Sequence, residues 1–296
     1  MELRGCHIPL VTPFLEDGSI DEPGLRKLVN HLIEVEKVDG LVPCGTTGES
    51  PTLTHEEHGR VIQIVVEETR GRVPVIAGTG SNSTAEAIEM TRHAEKVGAD
   101  ASLQVCPYYN KPTQEGLLAH FKAIAENTRL PIVLYNIPGR TGRNIEPETV
   151  VELSKHEMIV GIKDACGDLT QTMRILEGTR NGKKPFYVLS GEDALTFPMM
   201  ALGGHGVICA VGNVIGKEYR EMVHLMLQGR LEEAREIHFR TLPVVRALFI
   251  ETNPVPVKEA LNLMGLPAGP LRLPLTPMKP ANREVLKEAL RKIGRL

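Results

Sequence analysis

Apolar runs of five to seven residues recur along the chain, each followed by a stretch of helical periodicity. The runs at 6–11, 40–44, 73–79, 101–106, 131–135, 159–163, 186–190 and 206–210 read as strands. The first helical stretch, 21–35, sets Leu25, Leu28, Val29 and Leu32 on one face. Helices at 54–70 and 83–97 open with Thr54 and Glu57, and with Ser83 and Glu86, the spacing of a capping box. Further helices are expected at 114–127, 146–155, 169–178, 194–202 and 217–228. Eight strand–helix units within 228 residues predict an α/β fold with a parallel sheet, and units of this size suit a closed (β/α)8 barrel, the TIM barrel. An open doubly wound sheet would carry Gly-x-Gly-x-x-Gly after its first strand, and the chain lacks it. Beyond 228 the strands vanish, leaving helical patterns at 231–250, 257–264 and 282–293. We expect a catalytic barrel over 1–228 and a C-terminal helical region over 229–296 packed on it.

Composition narrows the class without naming a chemistry. Of 296 residues, 42% are hydrophobic and 24% charged, a balance that buries a real core. A formal charge of -3 and the lack of long basic runs point away from nucleic acid and anionic membranes. The first residues lack the basic-then-apolar order of a signal peptide, and no apolar run is long enough to span a bilayer, so a cytoplasmic protein is expected. The five cysteines form no Cys-x-x-Cys pair, which argues against a disulfide framework or a zinc site. His55 and His58, the one close histidine pair, read as a solvated helix start.

In a parallel barrel the chemistry gathers where strands end. The run 159–163 ends on Lys163. Taken alone, such a lysine can leave the strand and reach water. It can also be held in the core, where desolvation lowers an ammonium's pKa and a neutral amine can attack a carbonyl. Other strand ends tip the balance. Gly45-Thr46-Thr47-Gly48 can place backbone N–H groups and two hydroxyls around a small carboxylate. Tyr135 ends the strand before Lys163, where its hydroxyl can move protons beside the amine. Arg140 follows in a Pro/Gly loop and can grip a carboxylate bidentately. Tyr108 and Tyr109 bring to three the tyrosines on this face, of five in the chain. Glu49, Asp164, Glu192 and Asp193 lack metal-ligand spacing, so no metal is called for. The parts together suit an imine-forming enzyme acting on a 2-oxo acid and a second acid.

These residues resemble the dihydrodipicolinate synthase family, within the pyruvate-dependent class I aldolases that include N-acetylneuraminate lyase. The resemblance spans nearly the whole chain and rests on Gly45–Glu49, Pro107-Tyr-Tyr-Asn-Lys-Pro112, Tyr135-Asn-Ile-Pro-Gly-Arg140, Gly161-Ile-Lys163, Gly203-Gly-His-Gly206 and Asn253-Pro-Val-Pro-Val-Lys258. It implies that Lys163 forms a Schiff base with pyruvate, with no other cofactor, and that the enamine attacks L-aspartate 4-semialdehyde to give 4-hydroxy-tetrahydrodipicolinate on the way to diaminopimelate and lysine. It implies that Tyr135 is the general acid/base, that Thr46 and Tyr109 complete a proton relay, and that Tyr109 does so in a neighbouring subunit of a homotetramer built as a dimer of dimers. Thr46 and Thr47 would bind the pyruvate carboxylate, Gly191 and Ile208 would line the site through their backbone, and Arg140 would bind the semialdehyde carboxylate. A lysine effector site would involve Ser50, Pro51, His55, His58, Asn82, Glu86 and Tyr108, with Pro51 where alanine is common. The nearest rival is a sister lyase acting on N-acetylneuraminate or a 2-keto-3-deoxy sugar acid. Arg140 opposes it, since a sugar-sized aldehyde needs hydroxyl partners there. A non-catalytic barrel and a metal-dependent aldolase are the remaining rivals.

Overall fold

A computed structural model describes residues 2–296. Its centre is one sheet of parallel strands: β1 (Gly5–Ile8), β2 (Gly40–Leu41), β3 (Ile76–Gly78), β4 (Ala101–Val105), β5 (Ile132–Asn136), β6 (Ile159–Asp164), β7 (Tyr187–Ser190) and β8 (Gly206–Ile208). The strands are ordered β2-β1-β8-β7-β6-β5-β4-β3, and an isolated parallel bridge from Leu41 to Val75 joins the two ends. The result is a nearly closed (β/α)8 barrel, the fold that the alternation predicts.

Helices α1 (Glu22–Glu34), α2 (His55–Thr69), α3 (Thr84–Val97) and α4 (Gln114–Glu126) cover the first strands. A four-residue helix, α5 (Pro138–Thr141), precedes α6 (Pro147–Ser154), and α7 (Leu169–Thr179), α8 (Thr196–Ala201) and α9 (Gly212–Leu227) complete the ring. Local chemistry explains the boundaries. Asp21 caps α1 by accepting from Gly24 N, and Leu25, Leu28, Val29 and Leu32 are its buried stripe. Thr54 and Glu57 close the expected capping box of α2. The matching box at α3 does not form. Ser83 accepts from Glu86 N, but the Glu86 carboxylate turns away to Ser81 Oγ and His55 Nε2.

Three apolar layers hold the barrel. Its inside is filled by Leu3, Val42, Ile76, Leu103, Val133 and Ile208, among others, with Tyr135 at the top. Ile132, Leu134, Ile159 and Ile162 point outward to α4, α6 and α7. Between β5 and β6 the register shifts, so that Ile132 to Val133 spans Ile159 to Gly161. Such an extra residue re-aims the side chains that follow. Here it leaves Lys163 directly opposite Tyr135. Helices α10 (Leu231–Leu248), α11 (Val255–Leu263) and α12 (Pro280–Lys292) share a hydrophobic cluster with β1, α1 and α9. No described helix is long and apolar enough to cross a membrane.

Candidate active site

Two lysines are buried among the described residues, and their surroundings differ completely. Lys258, 1% exposed, donates to Glu49 Oε1 at 2.8 Å, Thr12 O at 3.1 Å and Pro270 O at 2.6 Å. Its three N–H bonds are all used, as burial of an ammonium demands. Lys163 is 6% exposed and has no hydrogen bond or ion pair at Nζ among the described residues. Its Nζ lies 4.2 Å over the centre of the Tyr135 ring. Folding alone gives no reason to bury it there.

The barrel shapes a place for that amine. Gly191 N donates to Asp164 O at 2.7 Å and brings the β7 end hard against Lys163. A Cβ at Gly191 would stand 2.8 Å from Lys163 Cγ and 2.9 Å from Cε, so a side chain there displaces the lysine. Ile208 is wholly buried, one strand further on. Asp193 sits on the same side, 1% exposed, with Oδ2 accepting from Val211 N at 2.9 Å. Burial pushes its carboxyl up to about 7, and the neighbouring Lys163 works against that rise. Glu192 is shifted the same way for the same main reason. The cysteines are poor nucleophile candidates. Burial pushes the Cys106 and Cys166 thiols up to about 12, far from thiolate at neutral pH.

After β2 the chain makes a tight turn, Thr46–Gly48, held between two left-handed residues, Cys44 at φ 57° and Glu49 at φ 53°. Thr47 is 2% exposed, and its hydroxyl accepts from Asn253 Nδ2 at 3.0 Å. Glu49 anchors the turn through both carboxylate oxygens, one on Lys258 and the other on Arg272 N at 3.0 Å. Arg140, on α5, reaches Asn253 O at 3.1 Å and Thr252 Oγ1 at 3.4 Å.

A cavity of about 570 Å³ opens from this end of the barrel. Thr46, Tyr135 and Arg140 line its inner part, and Lys163 lies on the Tyr135 ring just outside that wall. Its outer part runs between the starts of α2 and α3, lined by Ser50, Pro51, His55, His58, Glu86 and Tyr108. Asn82 stands beside it, donating to Tyr108 O at 3.2 Å. The structure thus brings Lys163, Tyr135, Thr46, Gly191 and Arg140 to one end, and joins the second group to it by a continuous space.

One placement departs from expectation. His58 is not a solvated helix start. It is 5% exposed, and burial pushes its imidazole down to about 4, so it is neutral near pH 7. Tyr109 is 90% exposed at φ 70° and stays out of the site of its own chain, which is compatible with the expected role in a neighbouring subunit and does not test it. Asn253 was not singled out as a site residue by sequence. The Asn253–Lys258 motif marks the segment, but the contact of Asn253 with Thr47 spans about 200 residues of chain and has no local signal. Among the described residues no group of three or more His, Cys, Asp or Glu side chains is placed to hold a metal ion.

A sequence profile of the dihydrodipicolinate synthetase family matches residues 2–293. The 4-hydroxy-tetrahydrodipicolinate synthase of Methanothrix thermoacetophila is 52% identical over 293 residues, with 99% of this chain and 98% of that one covered. The chloride-inhibited dihydrodipicolinate synthase from Acinetobacter baumannii, solved in complex with pyruvate, has a similar fold, with a TM-score of 0.95, 44% identity and 99% of each chain covered. The dihydrodipicolinate synthase from Cyanidioschyzon merolae with lysine bound matches with the same TM-score of 0.95, 44% identity and 99% coverage of each.

Proposed function

The chain belongs to the dihydrodipicolinate synthetase family, and from that premise we propose that its barrel mouth condenses pyruvate with L-aspartate 4-semialdehyde through an imine on Lys163. The observation that carries the reading is the unpartnered, buried Lys163 Nζ on the face of Tyr135. In its neutral form this amine adds to C2 of pyruvate, water leaves, and loss of a C3 proton gives the enamine. C3 then attacks the aldehyde carbon, and the alkoxide so formed takes a proton. Finally the semialdehyde's own amine adds at C2 and expels Lys163, closing the ring of 4-hydroxy-tetrahydrodipicolinate. One water is released per turnover.

Each chain residue has a bounded part in this sequence. The Tyr135 hydroxyl moves the protons at C3 and at the aldehyde oxygen, in relay with Thr46. The Thr46–Gly48 turn holds the pyruvate carboxylate with N–H groups and hydroxyls. Gly191 and Ile208 leave their backbone, not side chains, against the imine. Arg140 binds the carboxylate of the semialdehyde. The part of the cavity lined by Thr46, Tyr135 and Arg140 gives the two acids an approach to the Tyr135 ring and the amine behind it. No observation favours a sugar-acid lyase, and the cation at Arg140 suits a carboxylate better than a polyol.

Incubation with pyruvate and borohydride should give a stable adduct on Lys163 by mass spectrometry, and a protein left unmodified would sink the imine. Arg140→Ala should lower kcat/KM for the semialdehyde about a hundredfold while adduct formation with pyruvate falls far less, since one bidentate charged contact is worth about 1.5–3 kcal/mol. Equal losses would remove Arg140 from its assigned place.

Assembly and regulation extend the same reading. Tyr109, exposed and held at φ 70°, is shaped to enter the site of a second copy, which makes a dimer the smallest active unit and a homotetramer its doubling. The outer cavity suits L-lysine. Glu86, drawn out of its helix cap, offers a carboxylate to the effector's ammonium, with Ser50, Pro51, His55, His58, Asn82 and Tyr108 around it. Burial and the nearby Glu86 raise the Tyr108 phenol, keeping it a hydrogen-bond donor. Added L-lysine should inhibit the wild type, and Glu86→Gln should weaken that inhibition about tenfold with little change in KM for pyruvate. Activity indifferent to millimolar-range lysine would dismiss the effector site.

A further inference from the structure

One residue outside the sequence-predicted site touches both of the elements that would hold carboxylates. Asn253 is 7% exposed and lies just before α11. Its Nδ2 donates to Thr47 Oγ1 at 3.0 Å, and its main-chain oxygen accepts from Arg140 Nη2 at 3.1 Å. Its Oδ1 is buried with no partner. A buried amide that leaves its oxygen unpaired while spending a proton on a threonine needs a reason. The segment is not free to drift: Lys258, one turn into α11, is locked to Glu49, Thr12 and Pro270.

The direction of the Asn253–Thr47 bond has a chemical consequence. A hydroxyl has one hydrogen and two lone pairs. Because Thr47 Oγ1 accepts from Nδ2, its own hydrogen is not consumed by Asn253. The hydroxyl hydrogen is therefore left available for donation, which is the polarity a carboxylate requires. We propose that Asn253 is a positioning residue that fixes the Thr47 hydroxyl as a donor to the pyruvate carboxylate, while its main chain holds Arg140 at the second carboxylate site. One residue thereby sets the spacing between the two acids. The inference rests on the assignment of the turn to pyruvate given above.

A double-mutant cycle tests it, because residues that act through one another do not add. Asn253→Ala should raise KM for pyruvate about tenfold and slow borohydride trapping at low pyruvate, with kcat at saturating pyruvate within about twofold. The Arg140 contact is to the main chain and survives, so kcat/KM for the semialdehyde at saturating pyruvate should also stay within about twofold. In a Thr47→Val background the same Asn253→Ala change should cost almost nothing more. Asn253→Asp should be worse than Asn253→Ala although it is isosteric, because a carboxylate accepts the Thr47 hydrogen and takes it from the substrate. If Asn253→Ala does not fold, Asn253→Asp with and without Thr47→Val reads the same cycle. Additive losses, or an Asn253→Asp chain as active as wild type, overturn the inference while leaving the imine reading intact. A wild-type chain that pyruvate and borohydride do not modify overturns both.

Discussion

Lys163→Ala is expected to abolish turnover, by roughly four orders of magnitude or more, and to abolish the borohydride-trapped pyruvate adduct altogether. No neighbour can replace the amine. The other buried lysine is fully engaged with Glu49, Thr12 and Pro270. The nearby acids are not nucleophiles for a ketone, and the thiols are held protonated by burial. The accompanying change in stability should be small, since among the described residues Lys163 has no hydrogen bond or ion pair to forfeit and loses only its contact with the Tyr135 ring and the packing of its stem. A thermal stability close to that of wild type in Lys163→Ala is therefore part of the expected result. Tyr109 adds a second readout. If Tyr109 serves the partner's site, Tyr109→Phe chains and Lys163→Ala chains, each nearly inactive, should complement when mixed and allowed to exchange. A hybrid dimer has one site with both an intact Lys163 and an intact Tyr109 from across the interface. Random pairing should then recover about a quarter of the wild-type activity. No recovery, with hybrids demonstrated by mass, would return Tyr109 to the surface.

Lys163 and Tyr135 are legible in the sequence because the barrel's geometry is local. An apolar run ending in a functional residue, followed by a helix, puts that residue at the carboxyl end of a strand whatever the details. The strand-to-strand pairing of Tyr135 with Lys163 was expected, but the extra residue in β6 that brings them level has no marker in the run 159–163. The apolar stretch 40–44 reads as a full strand; the regular strand spans only Gly40–Leu41, with single backbone bonds continuing from Val42 N to Ile8 O and from Gly78 N to Pro43 O before Cys44 takes a left-handed turn into the Thr46–Gly48 loop. Glu86 has the spacing of a cap. It leaves that role because Ser81 and His55, brought near by other elements, compete for its carboxylate. His58 carries the polarity of a surface residue and is buried by packing of α2 that no local pattern encodes. Contacts made by Asn253 and Lys258 span more than 200 residues. Periodicity has nothing to say about such contacts.

The same long-range link carries the largest expected effect on stability. Lys258→Met should destabilise the chain by about 3–5 kcal/mol, measured by urea unfolding, because it leaves the Glu49 carboxylate buried without its cation. Glu49 is 2% exposed, and without Lys258 its carboxylate keeps only the hydrogen bond from the main-chain N–H of Arg272. Thr12 O and Pro270 O lose a donor at the same stroke. Lys258 Nζ also lies 4.4 Å over the Phe14 ring, a contact that methionine keeps in apolar form. Burial lowers the Lys258 pKa and Glu49 opposes that shift, as expected where desolvation is partly offset by the pair. Adding Glu49→Leu to Lys258→Met removes the stranded charge, so the double variant should be more stable than Lys258→Met alone. If the double is instead worse by the full sum, the pair is not acting as a unit. Activity supplies the other half of the argument. Glu49 ends the turn that would hold pyruvate, and it sits there at φ 53°. With the ion pair gone nothing ionic ties that left-handed residue to α11, so both variants should show a raised KM for pyruvate at temperatures where they remain folded, the double included. Recovery of stability without recovery of pyruvate affinity is the outcome that separates what the ion pair does for the fold from what it does for the site.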